Sequence, residues 1–208
     1  GTFYLIYLGN MELILVNLVL TRGFGTSVGG AIFVEYGVLR ARTCTFSHNH
    51  ATTSGGAVYT YEPTPTFDDR LFESTAAAES GGAVGDHPDS QATFLRTKFF
   101  HNHAGTNGGA VSFQSNKPHH VDGPSLVQDS EFNHNNASGT GGAMDVNTRF
   151  TALLVRNSLI HHNFAGESGG GVSGSLDAVI TVEHSVMAHN AAHEHGGGVH
   201  ATDTSLTV

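Results

Sequence analysis

The chain has 208 residues, of which only 13% are charged, about half the usual share for a soluble globular protein. Its 27 glycines, absent tryptophan and two lysines, Lys98 and Lys117, exclude a bundle of long charged helices and suit short strands joined by tight turns. A formal net charge of −9 with 15 neutral histidines leaves no basic footprint, so nucleic acid is excluded as a partner class.

From the N-terminus, Gly1–Leu20 is apolar but broken by Asn10, Glu12 and Asn17. With no basic flank and no cleavage pattern, it reads neither as a signal peptide nor as a membrane span. Phe3–Leu8 reads as a strand, and a start at Gly1 points to a processed protein or a piece of a longer one.

A repeat then takes over. Gly-Gly, a small residue and an aliphatic one recur seven times, beginning at Gly29, Gly55, Gly81, Gly108, Gly141, Gly169 and Gly196, at intervals of 26, 26, 27, 33, 28 and 27 residues. Six residues before each pair stands Gly23, Asn49, Thr75, Asn102, Asn135, Asn163 or Asn190. Three residues earlier stands Leu20, Phe46, Phe72, Phe99, Phe132, Ile160 or Met187. Two residues after the Asn position, all coils but the first carry alanine: Ala51, Ala77, Ala104, Ala137, Ala165 and Ala192.

Such fixed spacing predicts an all-β, right-handed parallel β-helix of about seven coils. Coils stacked about 4.8 Å apart place each residue on its counterpart. An apolar column then fills the interior, and Asn49, Asn102, Asn135, Asn163 and Asn190 form an amide ladder at a turn where Asn tolerates unusual dihedrals. Gly-Gly supplies positive φ or close backbone approach. Leu15, Ala41, Phe67, Phe94, Val127, Val155 and Val182 form a second inward stack. So do Ile32/Val34, Val58/Thr60, Val111/Phe113 and Met144/Val146, by strand alternation. Leu18, Cys44, Thr97, Ser130, Ser158 and Ser185 form a column of mostly small residues. Cys44 is then a buried filler, and it has no second cysteine to pair with. The weakest copy is Pro65–Val84, with Arg70 at the small position and Thr75 for Asn.

The pairing of GGA[ILV] with FxxN, here FSHN at Phe46–Asn49, FFHN at Phe99–Asn102 and FNHN at Phe132–Asn135, resembles the repeat of chlamydial polymorphic outer membrane proteins. The resemblance runs from about Leu13 to Val199, with IHHN and MAHN as departures. It implies a parallel β-helix like the passengers of surface autotransporters, and a role in adhesion. Similar repeats occur in surface proteins of some unicellular eukaryotes and algae.

His48, His101, His134, His162 and His189 precede the Asn position. They read as the outward residues of a solvated turn and not as converging metal ligands. Their stacking requires neutral rings, so stability or association should change below about pH 6. His193, Glu194, His195 and His200 lack HExxH spacing and read as surface. Arg42 with Asp68, Asp69 with Arg96 and Asp129, and Arg156 with Glu183 read as a ladder of opposite charges, in preference to an acid–base groove. Asp86-His87-Pro88-Asp89 reads as a turn. The longest insertion, Ser112–Ser125, carries His119, His120 and Asp122. With the outward aromatics Phe33, Tyr59 and Tyr61 it makes the candidate binding edge. Asn136-Ala137-Ser138 is a candidate glycosylation sequon.

Thr204–Val208 begins another coil, and neither end shows a capping helix. Residues 1–208 are therefore expected to form one β-helix domain covered at both ends by further coils or by other copies of the chain. The expected function is a non-enzymatic extracellular or cell-surface module, structural or adhesive, including a filament building block. No cofactor, metal or membrane span is expected, and host or surface glycans and proteins are the candidate ligands. The alternatives are a carbohydrate-active enzyme of the polysaccharide lyase or epimerase type, and a glycan-binding module.

Overall fold

A computed structural model describes residues 6–61, 64–86, 91–114, 123–147 and 151–208, and these form a parallel β-solenoid of about seven turns. Each turn contributes to four parallel sheets. Sheet I follows Gly-Gly and stacks eight strands from Ile6–Gly9 and Ile32–Glu35 to Val199–Ala201. Sheet II stacks eight, from Glu12–Val16 and Val38–Arg42 to Ser205–Thr207. Sheet III holds the Phe column in seven strands, from Val19–Thr21 to Val186–Ala188. Sheet IV consists of seven two-residue strands, from Phe24–Gly25 to Ala191–Ala192.

Register follows the repeat. Phe46, Phe72, Phe99 and Phe132 are Cα partners in sequence, with ring centroids 4.7, 4.9 and 4.5 Å apart and nearly parallel planes. Phe67 stacks on Phe94 at 5.2 Å in the neighbouring column, and Phe94 meets Phe99 edge-on. Parallel offset stacking is forced by the coil spacing, while edge contact between columns satisfies the ring quadrupoles. These rings, with Ile32, Val58, Val111, Val155 and Ile180, are fully buried and form one continuous core.

Three of the corners between the four sheets carry positive φ in every coil. The first Gly of every pair holds φ between 62° and 70°. A second corner holds Asn17, Thr43, Asp69, Arg96, Asp129, Asn157 and His184 at φ between 48° and 60°. The third holds Arg22, His48, Ser74, His101, His134, His162 and His189 at φ between 53° and 58°. This corrects the expectation that Asn carries the unusual dihedral. The residue before it does, and His, like Asn and Asp, is enriched several-fold in that region.

Freed from that role, each Asn side chain turns inward and repairs the corner of the preceding coil. Asn135 accepts from the Asn102 backbone N–H at 3.1 Å and from Asn102 Nδ2 at 2.9 Å. Its Nδ2 donates to the Phe99 carbonyl and to Asn163 Oδ1, both at 2.9 Å. Asn49, Asn102, Asn163 and Asn190 make the same reach to the carbonyl of the apolar residue one coil back. Thr75 cannot; its backbone N–H donates to Asn102 Oδ1, and its hydroxyl, with one proton to give, lies between Asn102 Oδ1 at 2.7 Å and the Gly82 carbonyl at 2.8 Å.

A second ladder runs down the small-residue column. Thr97, Ser130 and Ser158 donate their backbone N–H groups to Ser130, Ser158 and Ser185 Oγ, each at 3.1 Å. Each serine hydroxyl donates to the carbonyl two residues before it. Cys44 is buried and its thiol points at the Arg42 carbonyl, 3.5 Å away. Leu18 departs from this column and is exposed. Arg70, 2% exposed, occupies the same column. Its Nη1 donates to the Asp69 carbonyl, while Nε and Nη2 are buried without partners. Burial lowers its pKa to about 10, so it remains a cation in the interior.

Two substitutions follow. Asn135→Ala orphans the buried Asn102 N–H and removes the second donor to the Phe99 carbonyl, and should lower the unfolding free energy by about 2 kcal/mol; Asn190→Ala, at the half-buried end of the ladder, should cost less. Urea denaturation of both variants measures the difference. Arg70→Met fills the same space without a desolvated charge and should stabilise by about 1–3 kcal/mol, read as a raised Tm; a lowered Tm would mean that the guanidinium has an unseen partner.

Candidate binding surfaces

Two outer faces gather chemistry. A groove of ≈ 640 Å3 runs along the second corner and the first outward row of sheet III. Its lining includes the charged side chains Asp69, Arg96, Lys98, Asp129 and Glu131 and the imidazole of His184. The corner brings Asp69, Arg96 and Asp129 into one axial line, and sheet II brings Arg42 beside Asp68 and Arg156 beside Glu183. The pairs formed are nevertheless different from those expected. Arg96 reaches Asp68 in the adjoining row and not Asp69. Arg156 donates twice to Gln128 Oε1, at 2.8 and 2.6 Å. Lys98 lies 3.7 Å from Glu131, and Arg40 lies 2.9 Å from Glu12. Lys98 and Arg156 pair with register partners one coil ahead or back, whereas Arg96 and Arg40 reach across a row, so register narrows the choice of partner without fixing it.

The third corner forms the histidine face. His101, His134, His162 and His189 stack in succession with centroids 5.2, 5.1 and 5.0 Å apart. His50 and His103 begin sheet IV strands beside them. His161 Nε2 lies 3.1 Å from Glu131 Oε1, and His161 Nδ1 lies 2.8 Å from His162 Nδ1. Desolvation, then the neighbouring His161, His189 and His134, lowers the His162 pKa. Among the described residues, no three His, Cys, Asp or Glu side chains are grouped to hold a metal ion.

The aromatic edge is an axial row on sheet I. Phe33 stands between Tyr7 and Tyr59 at 5.4 and 5.9 Å, and Tyr61 meets Tyr36 edge-on at 5.4 Å. His119, His120 and Asp122 lie outside the described residues, as do His87, Pro88 and Asp89; Asp86 ends a sheet I strand. Asn136 is half-buried in a sheet IV strand between His103 and Phe164. His193, Glu194 and His195 are exposed, with the His195 ring 6.0 Å from that of His200.

Sequence reasoning missed Asp145, which follows Ser112 and precedes Ser173 in the outward row of sheet I. The Gly-Gly corner folds under this row: a Cβ on Gly141 would sit 2.8 Å from that of Asp145. Asp145 is consequently 2% exposed. Its Oδ1 accepts from Thr140 at 2.7 Å, and Oδ2 is buried without a partner. Burial raises its pKa to about 7, against the opposing pull of Thr140 and Ser173. The register of the repeat, extended to outward positions, was the signal that could have found it.

With this geometry in place, the comparisons add a class. The chain is a β-solenoid in which one short segment matches a known repeat model. The family model described as the Chlamydia polymorphic membrane protein repeat matches residues 43–61, the segment holding Phe46, Asn49 and Gly55–Val58. No curated protein and no solved structure matches the chain. No helix of the described residues is long and apolar enough to cross a membrane.

The two shifted groups give opposite pH dependence. His162 binds a proton less readily folded than unfolded, so its contribution is present above pH 6.5 and is lost as pH falls. Asp145 binds one more readily when folded, so its contribution is complete below about pH 4 and is lost as pH rises through about 7. Melting temperatures between pH 4 and 8 should therefore show Asp145→Asn gaining on the native chain up to about pH 7 and then holding level. His162→Asn should lose less stability than the native chain between pH 7 and 5.

Proposed function

We propose that the chain is a non-enzymatic module of an extracellular or cell-surface protein, a rigid rod with a structural or adhesive role. The observation that carries this reading is that charged side chains on the outer faces are engaged with each other between coils: Arg40 with Glu12, Arg96 with Asp68 and Lys98 with Glu131. Acid–base catalysis needs a base and an acid aimed at a shared substrate atom, whereas cross-coil pairs of this kind stiffen a sheet face. The matched repeat, named for membrane proteins, supports a surface location. Glycans or proteins of a host or neighbouring surface are the ligands that the aromatic row of Tyr7, Phe33 and Tyr59 would contact.

The groove favours one rival. Asp69, Asp129, Glu131 and His184 line the groove of ≈ 640 Å3, and a carbohydrate-active enzyme would need such titratable groups in an open groove. Incubating the 208-residue chain with uronate polymers, with and without calcium, and in parallel with a glycan array separates the two. Saturable glycan or cell-surface binding without turnover is expected. Polymer cleavage or epimerisation that Asp129→Asn or Glu131→Gln abolishes would overturn the non-enzymatic reading.

A further inference from the structure

In a strand, neighbouring side chains alternate between faces. His161 ends the sheet III strand Leu159–His161 on its outer face, and His162 is the corner residue at φ 54°. The left-handed turn breaks the alternation, so two consecutive imidazoles project from the same side and meet at their Nδ1 atoms, 2.8 Å apart. The equivalent pairs in the other coils are Thr21-Arg22, Ser47-His48, Glu73-Ser74, Phe100-His101, Asn133-His134 and Ala188-His189. Only this coil puts two imidazoles there.

We propose that His161 and His162 form a two-imidazole chelate for a divalent transition ion, with Glu131 orienting His161 from the preceding coil. Metal–imidazole bonds of about 2.0–2.1 Å place two nitrogens on one ion about 3 Å apart, and the observed spacing is within a few tenths of an ångström of that. Glu131 Oε1, 3.1 Å from His161 Nε2, accepts the ring N–H and fixes the tautomer. The His161 Nδ1 lone pair is then available, which is the carboxylate–histidine relay that metal-bound imidazoles use. Without an ion, His162 donates its own Nδ1–H across the gap. On binding, that proton moves to Nε2, and a modest rotation of the two rings turns the Nδ1 lone pairs from the line between them onto one ion. His134 and His189 stack on the two sides of the His162 ring and limit its rotation. The Asn133 amide, beside His161 in register, holds a buried Oδ1 without a hydrogen-bond partner. Water completes the coordination. Imidazole donors suit Zn2+, Ni2+ and Cu2+, and Cu2+ binds tightest in that order of ions.

The test is calorimetric titration of the 208-residue chain with Cu2+ and with Zn2+ at pH 7.5, comparing His161→Gln, His162→Asn and the control His48→Asn. Asn accepts the left-handed corner, so a lost ligand is separated from a strained backbone, and circular dichroism checks that each variant is folded. One Cu2+ per chain is expected, bound more tightly than Zn2+, with nitrogen hyperfine structure in its electron paramagnetic resonance spectrum. Either variant should weaken Cu2+ binding at least tenfold, and the control should leave it unchanged. Lack of saturable one-to-one binding, a smaller loss in either variant, or an equal loss in the control would overturn the site.

Discussion

Everything in this molecule answers to one constraint: each coil must hydrogen-bond to the next along its length, including at the corners where it changes direction. A strand does this without help, because its N–H and C=O groups already point along the axis. A corner does not. Its left-handed residue turns one carbonyl and one N–H out of the ladder, and a buried backbone group left unpaired costs about as much as a lost hydrogen bond. The Asn column repairs the third corner and the serine column the second, in each case by a side chain from the following coil. At the Gly-Gly corner the backbone does the work itself, since Gly55 and Gly56 donate to Ser80 and Gly81 of the next coil. No side chain could intrude there, as a Cβ on Gly56 would land on the Gly82 carbonyl oxygen.

The same constraint explains the composition. Side chains that tolerate positive φ without glycine are chiefly Asn, Asp and His. The two non-glycine corners accordingly collect five of the repeat histidines in one line and Asn17, Asp69, Asp129, Asn157 and His184 in the other. Much of what resembles a functional concentration of charge and imidazole is thus conformational in origin. Function has to be sought where a residue departs from what its corner requires.

Inward columns were legible in the sequence because burial and register act on them together. An interval of one coil fixes what lies above Phe99, and apolarity fixes which way it points. Outward residues obey only the first rule. Arg156 lies beside Glu183 in register yet bonds to Gln128, and Arg96 passes over Asp69 to reach Asp68. Long side chains choose among several rows at little cost, so their partners emerge only from coordinates. Asp145 was obscured for another reason. It breaks the residue type of its column, and a column rule describes the usual occupant and not the exception, whereas Arg70 stands out in the sequence as a charged side chain at a small-residue position.

Those exceptions lie where the fold can accommodate them. A coil buries its core through the Phe, Asn and glycine positions and leaves the residue before each corner unconstrained except by solvent. Phe100, Asn133, His161 and Ala188 succeed one another in that place while Phe99, Phe132 and Ile160 hold the register beneath them. The corner residue then points to the same side, so a group on the strand can be paired there with a side chain that tolerates positive φ without disturbing the stack. Glu131 adds a third from the coil before, at a spacing that the ladder itself dictates. A solenoid of this kind acquires sites by substitution at its corners, one coil at a time, and its stability and its surface chemistry can vary almost independently.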